Sequence, residues 1–357
     1  MSKIGISLII KDDSEAHYLK NLLKSLRRRS DDVFVTITGK ESSELQKICQ
    51  KRSVKFNFFP WINDFAKARQ FGFDNLPKEY DYIFTCDADD VIEHAGNLDK
   101  IVRNMIEADA DFCYITYVTS QDKEYGDTIV NVPRLTKRGA GKWVRPIHEV
   151  WVGNNPDNFI IDRGKNVRCI HTKKDVKAGE KRNLDMLLAI KNKTDEDHRY
   201  IAAAYISLSN YDKALEHLKK ISPNFGFYFN VLEVIANIYR YKRDLDKGVE
   251  VLEKMVKQYG QYSDPYFVLG SYLISKKEYQ RALDTYLEGF KHPKMPKIMT
   301  DSSHNVLINP LGKVAFLYET LGQHEKALWC VQVLNKIAPD LKKVKTLTEL
   351  ITEVGND

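Results

Sequence analysis

The sequence predicts an α/β domain built on a mainly parallel sheet, followed by an all-α array of helical repeats. Three observations carry this. Short β-rich runs alternate with amphipathic helical stretches over roughly the first third of the chain. One run, Tyr82-Ile83-Phe84-Thr85-Cys86, is apolar throughout, as a strand buried on both faces should be, yet ends in Asp87, Asp89 and Asp90. From Ala202, small residues return at intervals of 34 residues through three repeats, with a fourth set after a longer gap, the period of stacked helix pairs.

In order, Ile4 to Ile10 reads as a first strand, ending in Lys11-Asp12-Asp13. Asp13 or Ser14 can cap the next helix, whose Tyr18, Leu19, Leu22, Leu23 and Leu26 form one apolar face. Val33 to Thr38 is a second strand, closed by Gly39. A helix near Ser42 to Lys51 and a strand near Val54 to Phe59 follow. A helix across Asp64 to Phe73 leads to the strand that ends at Asp87, and another helix runs from about Leu98 to Ala108. After Asp111 the long helices stop. Phe112 to Thr119, Thr128 to Pro133, Phe159 to Asp162 and Val167 to Ile170 read as strands, and His171 ends the last. Between them Val132 to Trp151, dense in Arg, Lys, Trp and Gly with one His-Glu pair, suits a segment lining a site. Gly139 and Gly141 would let it act as a lid.

The 357 residues suit two domains or three, with 43% hydrophobic residues to fill their cores. The 55 basic and 49 acidic residues are interspersed; a net charge of +6 tolerates an anionic substrate without implying nucleic-acid binding. Five cysteines without a C-x-x-C pair fit a reduced cytoplasmic protein lacking structural zinc. The first apolar run is too short to span a membrane and lacks a signal-peptide cleavage pattern. No G-x-G-x-x-G or P-loop pattern follows a strand, which argues against a standard dinucleotide or P-loop site.

Acidic residues at the carboxyl end of a buried strand lie where open α/β sheets place their ligand crevice, and hard oxygen ligands there suit Mg²⁺ or Mn²⁺ carried on a diphosphate. Asp-Ala-Asp-Asp also reads as a turn with a helix cap, and Asp90 is divided between cap and support for the site. Further motifs favour the first reading. The ordered series W-x-N-D-F-A-x-A-R (Trp61 to Arg69), D-A-D-D, P-R-L, I-H-E and I-H-x-K resembles the nucleotide-sugar glycosyltransferases of family 2, which have the GT-A fold. It is similar to a bacterial and phage branch in which tetratricopeptide repeats follow that domain, a branch that includes peptide S-glycosyltransferases. The chain departs at Lys11-Asp12-Asp13, where the family usually has Lys-Asn-Glu, at Gln70 for Asn, and at Asp90 for Glu.

The resemblance implies a catalytic domain over residues 1–175, a connecting helix over 176–197 and repeats over 198–357. It implies a nucleotide-sugar donor, UDP-linked foremost, with Mn²⁺ or Mg²⁺ as cofactor. Asp87 with Ala88 would contact the ribose or nucleotide, and Asp89 and His171 would bind the metal. Asp64 and Arg69 would approach the base and diphosphate, with Asp12 and Lys173 also on the nucleotide side. Inverting transfer needs a carboxylate to take the acceptor's proton. Glu149 is the candidate, with His148 beside it in the acceptor site. The acceptor would be a macromolecule, a polypeptide foremost, with a nucleic-acid base or a glycan as alternatives. An inactive scaffold whose repeats bind a partner is the contrasting class.

The repeats are legible independently. NYDKALEHL, DLDKGVEVL, EYQRALDTY and QHEKALWCV share a phase, with Ala214, Gly248, Ala282 and Ala327 at the tight position. About twelve residues before each lies Ala202, Ala236, Gly270 or Ala315, and Tyr205, Tyr239 and Tyr318 recur one turn later. This is the tetratricopeptide pattern. Its groove would serve a peptide, a homodimer, or simple bracing of the catalytic domain.

Overall fold

A computed structural model describes residues 3–26, 29, 32–39, 43–121, 127–172, 177–295 and 305–354. The chain divides into two compact units, Met1–Ala189 and Ile190–Asp357.

The first unit is built on a nine-stranded sheet. Its strands are β1 (Lys3–Ile10), β2 (Val33–Ile37), β3 (Lys55–Phe58), β4 (Tyr80–Asp87), β5 (Asp90–Glu93), β6 (Phe112–Ser120), β7 (Thr128–Lys137), β10 (Phe159–Ile161) and β11 (Arg168–His171). A separate hairpin joins β8 (Gly141–Val144) to β9 (Val150–Gly153). The sheet order is β3-β2-β1-β4-β7-β6-β11-β5, with β10 also on β6. β1 pairs in parallel with both β2 and β4, and β6 with both β10 and β11. Only β7 and β5 run against their neighbours. The sheet is thus mainly parallel, as the alternation of strands and helices predicts.

The pleat divides the core between two faces. In β2, Val33 and Val35 join a large cluster with Leu19, Leu22 and Leu23 of α1 (Ala16–Ser25), Leu45 and Ile48 of α2 (Ser43–Lys51), and Leu98, Ile101 and Met105 of α4 (Leu98–Glu107). Phe34, between them, points the other way. It packs with Phe73 of α3 (Phe65–Asp74), Ile83, Phe112 and Trp151 of the hairpin. The hairpin therefore belongs to the second core, and its packing demands Gly141, where a Cβ would lie 2.3 Å from the Val152 carbonyl oxygen.

Three local expectations change. Asp12, rather than Asp13 or Ser14, caps the short 3-10 turn before α1, accepting from the Ser14 amide at 3.0 Å, while Asp13 accepts from the Leu45 amide of α2. Val132 to Trp151 is the end of β7 plus an ordered hairpin. Asp90 caps no helix, for the chain turns at once into β5. α5 (Lys177–Ala189) closes this unit.

The second unit is helical through its described residues. Its pairs are α6 (Asp195–Ser207) with α7 (Tyr211–Leu218), α8 (Tyr228–Tyr241) with α9 (Leu245–Tyr259), α10 (Asp264–Ser275) with α11 (Tyr279–Gly289), and α12 (Asn305–Thr320) with α13 (His324–Ile337), before a terminal α14 (Lys342–Val354). Ala202, Ala214, Ala236, Ala282, Ala315 and Ala327 are all fully buried. A Cβ on Gly270 would lie 2.6 Å from the Tyr286 ring, so only glycine lets those helices close. No helix among the described residues is long and apolar enough to cross a membrane.

Candidate active site

β4 carries its buried run to Asp87, where the chain reverses through Ala88 and Asp89 into β5. Asp90 closes this turn, its Oδ2 accepting from the Asp87 amide at 2.8 Å. Antiparallel pairing of β5 with β11 sets Asp90 opposite His171, and the Thr172 amide and hydroxyl donate to the Asp89 carbonyl at 3.0 and 2.6 Å. Two segments some eighty residues apart in sequence are thereby fastened into one acidic corner.

Ligand atoms of Asp89, Asp90 and His171 all lie within 4.8 Å of one another. Oxygen with one imidazole is a fitting set for Mn²⁺ or Mg²⁺. Asp90 is only 1% exposed and is spent on the Asp87 amide and the Tyr117 hydroxyl; Asp89 and His171 are the pair that faces the cavity. Burial first, then repulsion from Asp87, pushes the Asp90 carboxyl up to about 7. A cation beside it would favour the ionised form.

Tyr117 has no motif to announce it. Its hydroxyl lies 3.0 Å from Asp90 Oδ1 and 3.0 Å from His171 Nδ1. Burial, then the Asp90 charge, raises its pKa, so it keeps its proton. With that proton donated to Asp90 Oδ1, an Nδ1–H of His171 would donate to the hydroxyl, and Nε2 would be the nitrogen left to hold a cation. Tyr117→Phe should weaken Mn²⁺ binding in the presence of UDP by roughly 10–100-fold, the usual cost of losing a ligand's support. Calorimetric titration checks this; unchanged Mn²⁺ affinity would show that the hydroxyl does not hold the imidazole.

Asp87 is gripped twice. Oδ1 accepts from Arg69 Nη2, and Oδ2 from Arg134 Nη2 at 2.7 Å. Burial would raise the Asp87 pKa, but the Arg134 and Arg69 charges outweigh it and hold the carboxyl far below the usual range. With 26% of its side chain exposed, and more lone pairs than donors, Asp87 can still accept from a sugar hydroxyl. Arg134 is the centre of the P-R-L motif, to which the sequence reading gave no role in the site. Its signal was a lone arginine, flanked by Pro133 and Leu135, in a strand otherwise suited to burial.

Arg69 also reaches the hairpin, its Nε donating to Glu149 Oε1 at 2.7 Å. The segment before Glu149 is pinned rather than loose. Ile147 is buried, the Phe65 amide donates to the Pro146 carbonyl at 2.8 Å, and the Trp143 amide donates to Gln70 Oε1 at 3.1 Å. Arg145 and His148 hold positive φ, at 78° and 50°, a backbone cost that such anchoring must offset.

These residues meet at a cavity of about 900 Å³, large enough for a nucleotide sugar. Arg69, Asp87, Ala88, Asp89, His148, Glu149 and His171 all line it. It opens at the carboxyl ends of β1 and β4, beside Ile10, Lys11 and Thr38. Arg182 and Asn183 of α5, not foreseen as site residues, complete the wall with Trp61 and Phe65. Asp12 and Asp64 do not line it. Asp12 bonds the Ser14 hydroxyl at 2.6 Å, which lowers its pKa. Asp64 caps α3 through the Lys67 amide at 2.9 Å. Lys173 lies outside the described residues.

Residues 8–178 match the description "Glycosyl transferase family 2". Among solved structures, the chain is similar to MamA at 19% identity, over 44% of this chain and 85% of that one, with a TM-score of 0.36. It is similar to YrrB, titled a TPR protein with an unusual peptide-binding site, at 12% identity over 48% and 85%, with a TM-score of 0.37. A thermophilic TPR protein of Thermus thermophilus aligns at 15% identity over 50% and 92%, with a TM-score of 0.35. No curated protein matches.

Proposed function

Residues 8–178 of this chain are a glycosyl transferase family 2 domain, and from that premise we propose that the protein moves a sugar from a UDP-sugar to a polypeptide, with inversion at the anomeric carbon. The observation that carries this reading is the cavity that gathers Asp87, Asp89, His171 and Glu149 from β4, β11 and the hairpin.

Asp89 and His171 would hold Mn²⁺ or Mg²⁺, and the cation would neutralise charge on the departing diphosphate. Asp87, fixed by two guanidinium groups, would accept a hydroxyl of the ribose. Glu149 would take the proton from the acceptor's O–H or S–H as that atom bonds to the anomeric carbon. The bond from that carbon to the diphosphate oxygen breaks, and its electron pair leaves with UDP. Arg69 Nε holds Glu149 through Oε1, and a carboxylate has lone pairs to spare for the incoming proton. A polypeptide is the favoured acceptor because stacked helix pairs of the second unit's kind expose grooves suited to extended chains.

UDP with Mn²⁺ should raise the melting temperature by several degrees at about a hundredfold excess over its dissociation constant, a stabilisation of about 2.7 kcal/mol. UDP without metal should do much less. Identical melting with and without UDP and Mn²⁺ would sink the donor assignment.

A further inference from the structure

Arg69 is a peculiar residue for a nucleotide-binding wall. It is 7% exposed, yet one guanidinium serves two carboxylates from different elements, Nη2 donating to Asp87 at the end of β4 and Nε to Glu149 just before β9. Its carbon sits 5.1 Å from the Trp143 ring centroid, on the same hairpin as Glu149. Burial alone would favour the neutral form, but Asp87 and Glu149 outweigh it and keep the group charged. Nε and Nη2 are committed to these two ion pairs, while Nη1 is buried without a hydrogen-bond partner among the described residues.

The two carboxylates do not depend on Arg69 equally. Asp87 retains Arg134, whose Nη2 stands 2.7 Å from Oδ2. For Glu149, Arg69 is the cation at hydrogen-bond distance, and the shared guanidinium sets where Glu149 lies relative to Asp87. We propose, resting on the donor reading above, that Arg69 is a positioning residue that locks the proton-accepting Glu149 to the donor-side Asp87. The rigid fork is essential: an ammonium is a point donor and cannot span both carboxylates in that geometry.

The test is a double-mutant cycle on the full chain, read by UDP titration with Mn²⁺ and by hydrolysis of UDP-glucose and other UDP-hexoses with water as acceptor. Arg69→Lys should leave UDP affinity within about threefold while hydrolysis falls tenfold or more. In a Glu149→Gln background, where the proton acceptor is already gone, Arg69→Lys should lower hydrolysis by no more than about twofold further. A merely structural residue would show additive losses instead, and a diphosphate ligand would cost UDP affinity equally in both backgrounds; either outcome overturns the assignment. If Arg69→Lys does not fold, Arg69→Gln enters the same cycle with the same expectations. A wild-type chain that fails to bind UDP with Mn²⁺ defeats the donor reading. A wild type that binds and hydrolyses, with additive losses in the cycle, defeats only the role of Arg69.

Discussion

Asp89→Ala should leave a folded chain whose Mn²⁺-dependent hydrolysis of UDP-sugars is lost, falling by at least about a hundredfold. The fold should survive because the backbone at this turn is held without that side chain. Thr172 donates twice to the Asp89 carbonyl, and Asp90 closes the turn onto the Asp87 amide. On the proposed metal assignment, what disappears is one of the two cavity-facing groups that would hold the cation, and with it the charge that would balance the departing diphosphate. Nucleotide binding itself should weaken, since UDP carries its phosphates to the cation. Calorimetry of UDP with Mn²⁺ and a hydrolysis assay, beside a melting curve, make the check. Near-native turnover in the variant would show that the metal assignment is wrong.

Glu149→Gln should have the complementary signature. The amide keeps the size of the side chain and can still accept from Arg69 Nε, but it cannot take a proton at neutral pH. UDP affinity with Mn²⁺ should stay close to that of the wild type. Transfer and hydrolysis should fall by roughly two to four powers of ten, the usual contribution of general-base catalysis. The two variants thus separate donor binding from proton transfer, one losing both and the other only the second. A thiol acceptor ionises more readily than a hydroxyl, so the contrast is sharpest with water or a hydroxyl acceptor. A loss of less than about tenfold there, with UDP binding intact, would remove Glu149 from the role of base.

The motifs predicted the site unevenly, for physical reasons. Asp87, Ala88 and Asp89 stood out because carboxylates end a buried strand, and all three line the cavity. His171 and Glu149 came with the ordered motifs, and both line the cavity. Asp12 and Asp64 were drawn in by those motifs, yet their local geometry is that of caps, a role aspartate fills wherever a helical turn begins. Tyr117 and Arg182 left no comparable trace, and Arg134 stood in the P-R-L motif without a role assigned to it. An arginine or tyrosine in a strand declares its type and its face, but not which carboxylate will stand opposite.

By itself the sequence determined the strands and helices of the first unit other than β5 and the β8–β9 hairpin, the acidic end of β4, and the repeating helix pairs of the second. These are local properties: alternation of burial along a strand, apolar stripes along a helix, and small residues where two helices must touch. The tertiary structure alone decided the partnerships. The turn at Asp90 into β5 and its register against β11 bring His171 to the acidic corner, and β7 beside β4 delivers Arg134 to Asp87. The hairpin on α3 sets Glu149 against Arg69, 80 residues away in sequence. Such contacts depend on strand register and on which face packs against which, quantities that belong to the assembled sheet and to no single segment of the chain.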